Sequence, residues 1–260
     1  MDGELSFLEV GSGALARRIA IREQPGGAPG LFWLGGFKSD MRGTKALALA
    51  DFAARRGRAY VRFDYSGHGE SGGRFEDGTV SCWLEEALAV FDARARGPQI
   101  VVGSSMGGWI ALLLARALAR RSSSQAKLMG LVLIAPAPDF TEELMWAGFP
   151  TEVKREIEDK GSWLRPSAYG EDPYPITRAL IEDGRKHLVL DKPIEVGCPV
   201  RILQGVKDPD VPYAHAMKLA SCLAQDDVVL TLVKDGDHRL SRPEDIERLI
   251  RTIEELSSIS

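Results

Sequence analysis

Cysteine is scarce and dispersed, with three residues in 260, at positions 82, 198 and 222. An odd, scattered trio with no CxxC and no Cys/His cluster excludes a disulfide-stapled fold and a structural zinc site, and it points to a reducing compartment. Long apolar runs are missing too, since nothing approaches the roughly 18 residues that a membrane-spanning helix needs. Membrane insertion is therefore not expected. There is no excess of positive charge, because 33 Lys and Arg face 37 Asp and Glu for a net charge of −4. That balance excludes nucleic acid or an anionic bilayer held by bulk charge. The amino terminus, Met1-Asp2-Gly3-Glu4, has neither an Arg-rich presequence nor a signal-peptide apolar core, so the expected location is cytoplasmic. Internal repeats and low-complexity tracts are absent.

What is present fits one large core, because 260 residues at 44% hydrophobic and 27% charged match a single globular domain spanning 1–260. Short β-rich runs alternate with helix-period stretches, the pattern of an α/β fold whose mostly parallel sheet is covered on both faces. Strands are expected at 17–23, 30–35, 58–64, 99–104, 129–135, 199–204 and 227–233, and helices at 43–56, 80–96, 106–120, 211–225 and 242–257. The rhythm breaks once. Residues 138–195 show no convincing strand, only short amphipathic pieces punctuated by Pro150, Gly161, Pro166, Gly170, Pro173 and Pro175. An insertion of that length between core strands is usually functional. It reads as a small helical cap over the carboxyl end of the sheet, where open α/β folds hold their ligands.

The stretch Gly103-Ser104-Ser105-Met106-Gly107 fits G-x-S-x-G between an apolar strand and a helical run. In such a turn the middle serine takes a strained backbone position and flanking side chains would collide with neighbouring backbone. The register selects Ser105 as nucleophile, not Ser104. A serine hydroxyl needs a base within hydrogen-bond reach, and the base needs a carboxylate that fixes its tautomer. Asp208 in "GVKDPDVP" and His238 in "KDGDHRLS" each follow an expected strand, and the order Ser, Asp, His suits this architecture. Two backbone donors must face the developing oxyanion, one from Met106 and one from the glycine-opened loop "LGGFKSD", at Phe37. Neither a metal nor an organic cofactor is required.

Four segments carry a resemblance: "GFKSDMRGTKA", "RFDYSGHGES", "GPQIVVGSSMGGW" and "GDHRLSRPEDI". Together with the four loops they resemble the α/β-hydrolase superfamily across nearly the whole chain, and one branch of it with thioesterase and acyl-glucuronide esterase activities. The resemblance implies an α/β-hydrolase fold and a triad at Ser105, Asp208 and His238. It also implies hydrolysis of a carboxylic ester or thioester, whether a small molecule or an acylated protein. The insertion is the least similar part.

Other residues have plainer readings. His68 is accounted for by a turn after a strand, and Asp64 by bracing of the neighbouring loop. Asp210, Asp235 and Asp237 compete with Asp208 for the acid role, Asp235 and Asp237 as turn-forming or solvated groups. His187 and His215 lie in helical context as surface or core residues. In the insertion, Trp146, Phe149, Trp163 and Tyr169 either pack the cap or line an apolar acyl pocket. That segment holds 13 Asp and Glu against 8 Lys and Arg. An anionic substrate would therefore need a particular cation, such as Arg165, Arg178, Lys38 or Arg42. A general small-molecule carboxylesterase, or a ligand receptor that keeps the fold without turnover, are the alternatives. The oligomeric state is left open.

Overall fold

Runs rich in Val, Ile, Leu and aromatic residues, bounded by glycine and proline, form the strands, and the stretches of helical period between them pack onto the sheet. The computed structural model describes residues 3–121, 125–166, 173–224 and 227–258. In chain order it has β1 (Glu4–Val10), β2 (Arg17–Gln24), β3 (Gly27–Leu34), α1 (Thr44–Arg56), β4 (Arg58–Phe63), α2 (Val80–Arg94), β5 (Gly97–Ser104), α3 (Met106–Ala119) and β6 (Ala126–Ile134). The segment after β6 carries a π-helical turn (Thr141–Trp146), α4 (Thr151–Lys160), the short strands β7 (Ser162–Arg165) and β8 (Tyr174–Thr177), and α5 (Arg178–Gly184). The core then resumes with β9 (Val200–Gly205), α6 (Tyr213–Cys222), β10 (Val228–Val233) and α7 (Pro243–Ser257).

Eight strands form one sheet in the order β1-β2-β4-β3-β5-β6-β9-β10. β1 and β2 run antiparallel to their neighbours, and every pair from β4 to β10 is parallel. Alternation along β5 divides the core. Val101 joins the cluster that includes Trp83 of α2 and Trp109 of α3, while Ile100 and Val102 join the one containing Leu49 of α1 and Ile253 of α7. From β3 the chain moves through α1 to β4 on one side; from β5 it moves through α3 to β6 on the other. The order reverses between β3 and β5, and the carboxyl ends of strands at such a switch point are where open α/β sheets bind ligands.

Three segments differ from the sequence expectation. β1 pairs with β2 along its whole length yet was not expected. Leu5 and Phe7 face outward while Leu8 and Val10 face inward, so apolar residues on both faces blur the two-residue period. The insertion also contains strands, β7 pairing antiparallel with β8, where none was expected. Each has four residues and β8 contains Pro175, too little for a periodic signal. Helix α6 stops at Cys222, short of the expected 225, because Leu223 turns extended and bridges to Ile194. The insertion is tied at its base. The Asp139 carboxylate accepts from the amides of Val189, at 2.9 Å, and Leu190, at 2.8 Å, and burial pushes its pKa up to about 6.

Phe32 of β3 is fully buried between Phe63 and Phe91, whereas Leu232 on the edge strand β10 is 43% exposed. Phe32→Ala is expected to lose about 3–5 kcal/mol in chemical denaturation. Leu232→Ala should stay within about 0.5 kcal/mol of the parent.

Candidate active site

Ser105 sits at the junction of β5 and α3 with φ 54 and ψ −118, a conformation that costs a non-glycine residue of order 1–3 kcal/mol. Close packing enforces it. A Cβ on Gly107 would lie 2.1 Å from the Leu34 carbonyl oxygen, and one on Gly103 would lie 2.3 Å from the Gly107 carbonyl oxygen. Strand and helix can approach this closely only with glycine at both places. The serine is anchored by its backbone, its amide donating to Ile134 O at 2.9 Å and its carbonyl accepting from Gly108 and Ala137. Ser104 is buried, and Ser105 is half-buried at the carboxyl end of β5.

His238, in the loop after β10, presents Nε2 to the Ser105 hydroxyl at 3.1 Å and Nδ1 to Asp208 Oδ2 at 2.8 Å. An ionised carboxylate only accepts, so Nδ1 carries the proton and Nε2 is left to accept from the hydroxyl. Asp208, just past β9, is buried and fully partnered. Its Oδ1 accepts from the amides of Asp210 at 2.9 Å and Val211 at 2.8 Å, and its Oδ2 accepts from His238 and from Gln204 Nε2 at 3.1 Å. Asp235 pairs with Arg242, and Asp237 accepts from the Leu240 amide within its own turn. Among the described residues the one group with metal-like spacing is Asp208, Asp210 and His238, one ligand atom of each lying within 4.8 Å of the others. The Asp208 oxygens are already committed to four donors, an arrangement suited to orienting an imidazole.

The loop after β3 lies directly against the serine, for a Cβ on Gly36 would fall 3.4 Å from Ser105 Cβ. Phe37 follows it, and Met106 opens α3, where a first-turn amide has no acceptor within the helix. Among the described residues neither amide donates to a turn or loop acceptor. The far end of the loop is held at Met41, whose amide donates to Asp64 Oδ1 at 2.6 Å and whose carbonyl accepts from Arg62 at 2.7 Å.

Comparison with known proteins bears on this geometry. The pattern of the alpha/beta hydrolase family matches residues 25–249. The chain belongs to the alpha/beta hydrolase family. Palmitoyl-protein thioesterase ABHD10, mitochondrial, of Bos taurus is 41% identical over 239 residues, covering 92% of this chain and 76% of the relative. Among solved structures, a protein from Agrobacterium vitis S4 is 51% identical with a TM-score of 0.96, covering 98% of this chain and 99% of that one. Alpha/beta hydrolase domain-containing protein 10 from mouse is 38% identical with a TM-score of 0.86, covering 98% of both chains. The hydrolase assignment and the fold expected from the motifs both stand. The cytoplasmic expectation does not, since the ABHD10 relatives from cattle, orangutan, human, mouse and rat are each named mitochondrial. No helix among the described residues is long and apolar enough to cross a membrane.

In this alpha/beta hydrolase the aromatic residues chosen from the insertion make contacts of their own. Trp146 lies under Arg185, 5.1 Å from its ring centroid, and near Lys154 at 5.7 Å. Phe149 and Trp163 meet edge to face at 5.4 Å, and Arg165 pairs in register with Tyr174 on β8. Tyr169 lies outside the described residues. Sequence reasoning missed the rings that gather on the loop after β3. Phe37 packs against Phe75 at 5.0 Å, Phe140 at 5.6 Å, Tyr174 at 5.8 Å and Trp83 at 5.9 Å. These residues come from four separate stretches, and no spacing rule links them. The Lys38 ammonium caps the group, 4.7 Å from the Phe75 ring and 5.6 Å from Tyr174. Of the other histidines, His215 donates from Nε2 to Pro138 O at 2.7 Å, and His187 Nε2 meets Ser81 Oγ at 2.7 Å.

Gln204 was also missed, although its place at the end of β9, four residues before Asp208, was a usable signal. It is fully buried, and its amide nitrogen faces three acceptors: Asp208 Oδ2, Gly205 O and Val211 O. Only the NH₂ end of an amide suits that setting. Gln204→Glu would place two carboxyl groups in one site, raising the pKa of one of them. A carboxyl raised in the folded state binds its proton more tightly there than in the unfolded chain, so stability falls as pH rises through its ionisation. The variant is expected near parental stability at pH 5 and lower by about 1–3 kcal/mol at pH 8, read from urea midpoints at the two pH values.

Proposed function

We propose that the protein is a serine esterase or thioesterase that works through an acyl-enzyme. The observation that carries this reading is the unbroken line from Ser105 Oγ to His238 Nε2, at 3.1 Å, and from His238 Nδ1 to Asp208 Oδ2, at 2.8 Å. Ser105 Oγ attacks the acyl carbonyl carbon while its proton passes to His238 Nε2. Asp208 holds the ring in the required tautomer and stabilises the imidazolium that forms. The carbonyl oxygen, now an oxyanion, is received by the amides of Phe37 and Met106. Collapse breaks the bond to the leaving alcohol or thiol, which takes the proton from His238. Water then adds to the acyl-serine, gives its proton to His238 and releases the carboxylic acid as the proton returns to Ser105.

The fourfold satisfaction of Asp208 supports the acid role at that residue rather than at Asp210. In this reading the insertion is the cap, and Phe37, which follows the Gly36 that lies against the serine, gathers Phe75, Phe140 and Tyr174 into an apolar wall on that loop. Such a wall favours a fatty or aromatic acyl group, a substrate class consistent with the thioesterase relatives. The insertion residues Trp146, Phe149, Trp163 and Arg165 have a lesser claim as substrate contacts, because their partners lie within the insertion or on charged side chains.

A fluorophosphonate probe followed by peptide mapping tests the mechanism. The adduct should fall on Ser105, and Ser105→Ala should lose both the label and on the order of 10⁴-fold or more in kcat. Labelling that persists in Ser105→Ala would overturn the assignment. Acyl-chain preference is a separate measurement on a series of thioesters and oxygen esters. Burial at about 0.8 kcal/mol per methylene predicts roughly a fourfold rise in kcat/KM per added methylene, up to an optimum at long chains. A steady decline beyond short chains would instead indicate a general small-molecule carboxylesterase.

A further inference from the structure

The segment "DYSGHGES" contains a buried histidine that the acyl-transfer mechanism leaves unused. We infer that His68 is a positioning residue for the oxyanion loop, its Nε2 accepting from the Lys38 amide and thereby orienting the backbone beside Phe37. The inference rests on the acyl-enzyme reading above and adds to it a residue that never touches substrate.

Both ring nitrogens of His68 have assigned partners. Nδ1 lies 3.0 Å from Ser66 O, a carbonyl that can only accept, so Nδ1 carries the proton. Nε2 is then the unprotonated nitrogen, and it lies 3.2 Å from the Lys38 amide, which can only donate. The ring cannot readily turn out of this pose. It is 5% exposed and is enclosed edge-on by Phe75 at 5.2 Å, Trp83 at 5.6 Å and Tyr65 at 6.0 Å. Burial also pushes its pKa down to about 4, so the acceptor persists throughout the neutral range.

The loop needs such a hold. Lys38 sits at φ 60, a left-handed conformation that costs an ordinary side chain roughly 1–2 kcal/mol. Strained residues of this kind persist where surrounding contacts over-determine them. Asp64 and Arg62 grip the loop at Met41, three residues beyond Lys38. Near the serine, the loop's own bond is the turn from Ser39 N to Gly36 O at 3.2 Å. His68 is the side chain that reaches the peptide between Phe37 and Lys38, so it sets the torsion on the carboxyl side of the proposed donor. An oxyanion donor is effective when it is aimed in advance at the position the oxygen will take.

The test compares two amides of different reach. His68→Gln can place an acceptor at the position of Nε2, whereas His68→Asn reaches only that of Nδ1. For ester hydrolysis, His68→Asn is expected to lose on the order of 10- to 100-fold in kcat with KM little changed, since the interaction is realised in the transition state. Its affinity for a trifluoromethyl ketone, which forms an oxyanion on the serine, should fall in step with kcat/KM. His68→Gln should recover most of both. Full activity in a folded His68→Asn, an unchanged ketone affinity, or no recovery in His68→Gln would each overturn the inference. If His68→Asn does not fold, ¹⁵N spectra of the wild-type imidazoles decide: His68 Nε2 must be unprotonated at neutral pH, and a protonated Nε2 refutes the role. Wild-type activity and its loss in Ser105→Ala are measured first, so a failure of the acyl-enzyme reading is seen separately.

Discussion

Strand β5 and helix α3 meet so closely at Gly103 and Gly107 that a single methyl group at either place would overlap backbone. That contact is the constraint from which the site follows. It forces Ser105 into a positive φ and lifts its hydroxyl off the end of the sheet, and it brings the start of α3 against the loop after β3. The strain is small beside the stability of a domain, and it is held by hydrogen bonds at the serine backbone and by the core beneath. A more relaxed turn would give up the hydroxyl's position.

Polar groups around the site are used economically and are mostly neutral or fully paired. Asp208 is a buried anion with four donors, the condition under which burying a carboxylate is tolerable. Asp64 is handled similarly: burial raises its pKa, while the amides of Met41 and Glu70 act in the opposite direction. His68 takes the other solution and stays uncharged. The result is a rigid polar frame around the Ser105 hydroxyl.

Above that frame the chain is more particular to itself. The insertion is rooted by Asp139 at its base, and through Ser81 the start of α2 is bonded to Asp183 of α5. Phe149 and Trp163 pair within the insertion, while its Phe140 and Tyr174 join the rings on the loop after β3. Likeness to the thioesterase relatives covers the whole fold. How these rings meet is fixed by packing in the insertion, which identity at the sheet does not determine.

Much of the core was legible in the sequence because its signals are local. G-x-S-x-G, the loop residues after successive strands and the period of the apolar runs each lie within a few residues of one another, so Ser105, Asp208 and His238 could be named in order and the helices bounded within a few residues. Where the local signal was diluted, as in β1 with apolar residues on both faces or in β7 and β8 with four residues each, elements went unseen. Location, too, escaped composition, as the mitochondrial relatives show. Only the tertiary structure decided which distant groups meet: Gln204 against the Asp208 carboxylate, His68 against the Lys38 amide, Phe75, Phe140 and Tyr174 around Phe37. The physical reason is that these contacts join segments brought together by packing across the sheet, and neither spacing nor periodicity along the chain records which side chain will face which.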